Sequence, residues 1–266
     1  MYEGFYNFKE TPFSRTIPTN ALYRGNDSDE LIERLIYTAK SQLFAVLTGD
    51  SGTGKTTALR RFCEQLAGSK YTILYISDSK LTPTGFYRTL LDQLGFESGN
   101  LRSTAKRRLH KEIEIMKGVH GQMPVVIVDE SHLLNREMLE EVRFLLNYKM
   151  DSQSPMALIM AGQSELWDKL KLQSYAAIRG RIDVVCAVGR LDRVQTDEYI
   201  KTHMSFAGCN KEIFTESAID DVFDFSGGIP RLINKACTAS LMYGAQNRKS
   251  IIDDRMVRLV IESELS

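Results

Sequence analysis

The sequence predicts an α/β fold, a parallel sheet sandwiched by helices and followed by a small all-helical domain, on three observations. First, five apolar, β-rich runs at residues 43–48, 71–76, 125–128, 156–161 and 183–188 alternate with helix-like segments through the first two thirds of the 266 residues. Such alternation places strands in parallel, covered on both faces, with ligands at their carboxyl ends. Second, the first run breaks directly into a glycine-rich turn and then a helical pattern. Third, the strand signal stops near Gly189, and only helical patterns follow, at 196–206, 215–225, 230–243 and 253–262. The expected division is therefore 1–188 for the α/β domain, N-terminal segment included, and 189–266 for the helical one. Residues 118–124 and 151–155 read as loops.

Thirty-four basic residues balance thirty-four acidic ones. No global field favours nucleic acid or an anionic surface, so such a partner has to be met by a local patch. Cys63, Cys186, Cys209 and Cys237 lie far apart without a C-x-x-C pair. That argues against a zinc knuckle or a secreted disulfide framework. The N-terminal MYEGFYNFKETPF has no apolar signal core, and no apolar run approaches the roughly 18 residues needed to cross a bilayer. The expectation is a cytoplasmic protein with no membrane partner.

The turn after the first strand fills the pattern G-x-x-x-x-G-K-[ST] with Gly49, Gly54, Lys55 and Thr56, and Gly52 adds further freedom. Glycines let successive N–H groups of Gly49, Asp50, Gly52, Thr53 and Gly54 wrap phosphates, and the helix that opens at Lys55, Thr56 and Thr57 aims its positive end at the same charge. Lys55 is expected to neutralise β- and γ-phosphates, and the Thr56 hydroxyl to bind magnesium. The chemistry points to ATP with Mg2+.

The third run delivers Asp129 and Glu130 to the end of a buried strand. Asp129 is placed to hold the magnesium ion and Glu130 to polarise the attacking water; the competing reading is an acidic pair capping the next helix. His132 completes Asp-Glu-Ser-His, a string similar to that of the DEAH helicases, but those need two tandem lobes and the chain offers one sheet, so His132 reads as a packing or hydrogen-bonding residue. After the fourth run, Gln163 stands where a polar amide can sense the γ-phosphate, or is a plain surface glutamine. Arg179 and Arg181 flank a glycine before the fifth strand; either suits the charge of a transferring phosphoryl group, acting across a subunit interface, and the alternative is two solvated charges. In SGGIPR, at 226–231, glycines make a turn, Pro230 suits a first helical position, and Arg231 is placed to reach back to the phosphates.

Together these elements resemble the AAA+ ATPase set. The segments FYNFKETPFSRTIP, GQSEL, AIRGRI and SGGIPRLIN resemble more narrowly the ExeA/TnsC-like branch, and within it the ATPase partners of DDE transposases, functionally akin to MuB, TnsC and IstB. The resemblance implies ATP-dependent assembly as a ring or filament on duplex DNA, and recruitment or activation of a separate transposase. Carried residue by residue, it falls on Lys55, Thr56, Asp129, Glu130, Gln163, Arg181 and Arg231, with Arg179 a rival for the interface arginine. ExeA itself continues past its ATPase module, whereas this sequence stops at Ser266; that difference favours transposition over the alternative, a secretion-assembly or other DNA-remodelling ATPase.

For DNA, Lys80 and Thr82 begin a loop after the second strand, Arg88 lies in the next helix, and Arg102, Lys106, Arg107, Arg108 and Lys111 form a basic run. Such side chains follow a duplex backbone without reading bases. The rival reading is a solvated helical face, balanced by Glu112 and Glu114.

Overall fold

The computed structural model describes residues 2–66, 68, 70–78, 81–97, 99, 101–146, 154–209 and 211–265. In chain order the elements are α1 (Tyr2–Tyr6), α2 (Asn26–Ser41), β1 (Phe44–Thr48), α3 (Lys55–Leu66), β2 (Tyr71–Ile76), α4 (Pro83–Gln93), α5 (Arg102–Gly118), β3 (Met123–Val128), α6 (Arg136–Leu146), β4 (Ala157–Gly162), α7 (Ser164–Lys171), α8 (Ala176–Arg179), β5 (Val184–Ala187), α9 (Arg193–Phe206), α10 (Glu216–Ser226), α11 (Pro230–Gln246) and α12 (Asp254–Val260). Clustering of the backbone separates two compact units. One comprises Asp27–Ser51 and Lys55–Val188, the other Met1–Asn26, Gly52–Gly54 and Gly189–Ser266.

The first unit is the sheet. All five strands are parallel, in the order β2-β3-β4-β1-β5. β1 and β4 are buried along their whole length and β3 in all but its first residue, which is why these segments read as continuous apolar runs rather than alternating ones. Alternate residues nonetheless feed different cores. Val46, Val126, Val128, Leu158 and Met160 pack with α4–α8, while Ala45, Leu47, Val125, Ile127 and Ile159 pack against α2 and α3. The loop expected at 118–124 is shorter than its composition suggests. Gly118 closes α5, and β3 already begins at Met123, with Pro124 aligned to Thr72 of β2. Part of the other expected loop, 151–153, lies outside the described residues.

The second unit is helical around one core. Residues before 27, grouped with the sheet on sequence grounds, pack here instead: Tyr2 and Phe13 are buried with Ile200, Met204, Ile233 and Val257. The physical reason is the need of a small helical unit for apolar cover. The Phe13 N–H donates to His203 Nδ1 at 3.2 Å and its ring stacks on the imidazole. His203 is only 1% exposed, and burial lowers its pKa to about 4. α9 begins with a capping box between Asp192 and Gln195, so it starts three residues before the expected 196.

Candidate phosphate and metal site

Because every strand runs the same way, the ends of β1, β3 and β4 share one edge, with β4 between the other two. β1 ends at Thr48, aligned with Gly162 at the end of β4, and the glycine-rich turn follows. Gly52 and Gly54 adopt φ of +87° and +106°, conformations that a Cβ disfavours. The Lys55 ammonium donates to the carbonyls of Gly49 (2.7 Å) and Asp50 (3.0 Å). Ser164, at the start of α7, donates its hydroxyl to the Asp50 carboxylate at 2.9 Å. Thr53 is buried, and Thr56 and Thr57 are exposed. Within the helical unit, the Arg231 N–H donates to the Gly52 carbonyl at 3.2 Å, and a Cβ on Gly52 would come within 2.8 Å of Arg231 Cβ.

At the end of β3, Asp129 is 4% exposed. Its Oδ2 accepts hydroxyls from Thr56 (3.2 Å) and Tyr75 (2.8 Å), and its Oδ1 accepts the Glu130 N–H (2.8 Å). Burial first, and the Asp129 carboxylate second, push the Tyr75 phenol up, so it stays protonated and donates. Among the described residues the hydrogen-bond donors to this buried carboxylate are all neutral. These hard oxygens suit magnesium. No group of three or more His, Cys, Asp or Glu gathers among the described residues.

Glu130 has a left-handed backbone, φ 51° and ψ 31°, an unusual and costly conformation for this residue type. The acidic pair does not cap a helix through this side chain: Glu130 precedes a short 3-10 turn, Ser131–Leu133, without a side-chain capping bond. Its carboxylate is about half exposed and lies 3.4 Å from His132 Nδ1, which also accepts the Gln163 N–H at 3.4 Å. His132 is thus a hydrogen-bonding residue between the ends of β3 and β4. Gly162 allows this approach, because a Cβ there would lie 2.9 Å from the His132 nitrogen. Gln163 precedes α7 without a side-chain capping bond.

The two arginines before β5 differ. Arg179 donates to the carbonyls of Leu170 and Lys171, at the C-terminal end of α7; Arg181 is half-buried in the turn that follows α8. The basic run is not the open stripe its spacing suggests. Arg102 and Lys106 both turn to Glu141, which is 1% exposed and also accepts the Tyr87 hydroxyl. Arg108 lies over the Phe96 ring and 4.0 Å from Glu112. Thr82 spends its hydroxyl capping α4, by accepting the Gly85 N–H. Arg88 is half-buried, Arg107 and Lys111 are exposed, and Lys80 lies outside the described residues. Sequence reasoning missed Tyr75 and Glu141, which belong to no local motif, and gave Ser164, inside GQSEL, no role of its own.

Comparison with known proteins gives consistent results. The model of the AAA domain family matches residues 38–170, half of the chain. The general secretion pathway protein A of Aeromonas hydrophila is 30% identical over 246 residues, covering 91% of this chain but 44% of that protein. Among solved structures, Cdc6p from Pyrobaculum aerophilum aligns with a TM-score of 0.72 at 17% identity, covering 94% of this chain and 69% of that one. Drosophila ORC bound to DNA also gives 0.72 at 17% identity, with 96% and 64% covered. The Thermotoga maritima RuvB Holliday junction branch migration motor gives 0.60 at 17% identity, with 90% and 69% covered. Those identities speak for the fold alone. The family match and the order of elements agree, and the chain belongs to the AAA family, with the AAA+ P-loop fold.

Proposed function

We propose that this chain is an ATP-hydrolysing regulator that assembles as a ring or filament on duplex DNA and recruits or activates a DDE transposase. The observation that carries the ATP-dependent part is Asp129: a buried carboxylate whose hydrogen-bond donors among the described residues are neutral, one of them the Thr56 hydroxyl at the mouth of a phosphate-binding turn. Asp129 and Thr56 would hold magnesium there, which would supply positive charge to the phosphate oxygens of ATP. Residues 49–57 wrap the phosphates, and Lys55 exchanges its carbonyl partners for phosphate oxygens. Glu130 orients the attacking water, while Gln163 contacts the terminal phosphate. Arg231, whose N–H already holds the Gly52 carbonyl, reports phosphate occupancy to the helical unit. By the family resemblance Arg181 is the residue assigned to a neighbouring subunit's phosphate, with Arg179 its rival.

The DNA part is supported by Arg107 and Lys111, exposed one helical turn apart on α5, and by the likeness to an ORC solved on DNA. Arg88 and Arg108 are proposed to add to that contact; Arg102, Lys106 and Thr82 are engaged within the sheet unit. The transposase rests on the sequence resemblance. A second reading, an ATPase of secretion assembly, is favoured by the 30% identity to general secretion pathway protein A, of which the chain spans 44%.

The test is duplex binding with and without a non-hydrolysable ATP analogue, across a salt series. Nucleotide-dependent binding that weakens steeply with salt is expected, and replacing Arg107 and Lys111 by alanine should lower the salt slope by roughly two. Nucleotide binding with no duplex affinity would leave the secretion reading standing.

A further inference from the structure

Tyr75 joins the carboxylate at the phosphate edge to the outer margin of the sheet. β2 is an edge strand. The Ile76 carbonyl faces β3, where it takes the Asp129 N–H at 2.8 Å, so the preceding residue turns its peptide groups outward, where no strand lies among the described residues. Gln93, the last residue of α4, fills that gap. Its Oε1 accepts the Tyr75 N–H at 3.1 Å and its Nε2 donates to the Tyr75 carbonyl at 2.7 Å. A primary amide offers a donor and an acceptor in one plane, and here it replaces one residue of a missing strand. From the same residue the phenol reaches Asp129 Oδ2 at 2.8 Å, while the Glu130 N–H holds Oδ1. Both carboxylate oxygens are therefore fixed from the protein side. α4 in turn packs on α5, Leu90 and Leu91 sharing a core with Ala105 and Leu109.

We propose that Tyr75 is a positioning residue that sets the Asp129 carboxylate for magnesium, and that Gln93 makes the position of α4 part of that setting. A duplex held along α5 then changes the magnesium affinity of the nucleotide site. This second half rests on the duplex binding proposed above; the first does not. By linkage, magnesium changes duplex affinity by the same factor.

The experiment titrates magnesium into the full chain with a fluorescent ATP analogue, alone and with duplex, alongside a chelator control. Tyr75→Phe is expected to raise the half-saturating magnesium concentration about tenfold or more, the effect of one hydrogen bond to a charged group, and to leave analogue affinity in chelator unchanged. A merely structural role would move both. Gln93→Glu keeps the phenol on Asp129 but removes the Nε2 donor; magnesium binding without duplex should match the parent, and the duplex-dependent shift should vanish. Unchanged magnesium dependence in Tyr75→Phe overturns the positioning role, and a surviving duplex shift in Gln93→Glu overturns the coupling. A parent chain without duplex affinity overturns the DNA reading and the coupling together, while the Tyr75→Phe titration still decides the positioning role.

Discussion

Asp129 and Glu141 are both buried carboxylates of the sheet unit, 4% and 1% exposed, and each accepts a tyrosine hydroxyl, from Tyr75 and Tyr87. They differ in what else surrounds them. Glu141 has two cations, Arg102 and Lys106, supplied by α5, so its charge is balanced within the chain. Asp129 has a threonine hydroxyl and a backbone N–H, which solvate a negative charge without cancelling it. Desolvating a carboxylate is costly unless it is paired. The closed cluster therefore has an architectural task, whereas the open one leaves a charge that the cation of the proposed function would balance.

That contrast can be broken by exchanging the expected phenotypes. Asp129→Asn should reduce magnesium-dependent ATP turnover on the order of 10³-fold, or ~4 kcal/mol, with the melting temperature little changed. Steady-state hydrolysis and a thermal melt check it, and an unfolded variant would put Asp129 in the same class as Glu141. Glu141→Ala should behave oppositely. Leaving two cations without their buried partner is expected to cost about 3–4 kcal/mol in urea unfolding, while the folded fraction binds nucleotide normally.

A third buried titratable group, His203 of the helical unit, sharpens the comparison because it is held neutral. Its folded pKa of about 4 lies below the roughly 6.5 of an unfolded histidine. The unfolded chain binds more protons between those values, so the stabilisation is fully present above about pH 6.5, declines through the window on acidification and levels off below about pH 4. The whole loss amounts to at most ~3 kcal/mol. Denaturant midpoints across that range should follow this course in the parent and flatten in His203→Gln.

The phosphate-binding turn and the Asp129–Glu130 pair were legible because each is a short string whose chemistry depends on neighbours in sequence. Strand existence was legible for the same reason, since buried central strands write themselves as apolar runs. The order of strands was not, and with it went Tyr75: nothing local shows that β2 lies at the edge or that its phenol meets Asp129, 54 residues away. The basic run was only partly legible for a related reason. Its spacing suggests a stripe, yet Glu141 lies 39 and 35 residues beyond Arg102 and Lys106, and only the packing of α5 shows which cations are already engaged. Arg179 is similar, its partners being carbonyls of the preceding helix.

The left-handed backbone of Glu130 has an evolutionary consequence. A non-glycine residue there forfeits roughly 1–2 kcal/mol, and that sacrifice is made in every molecule whether or not fuel is present. With Glu130 proposed to orient the attacking water, thermal robustness and turnover would pull against each other at a single codon. Lineages screened for heat tolerance without any demand for hydrolysis should drift toward asparagine or glycine at position 130, gaining sturdiness at the expense of that proposed role.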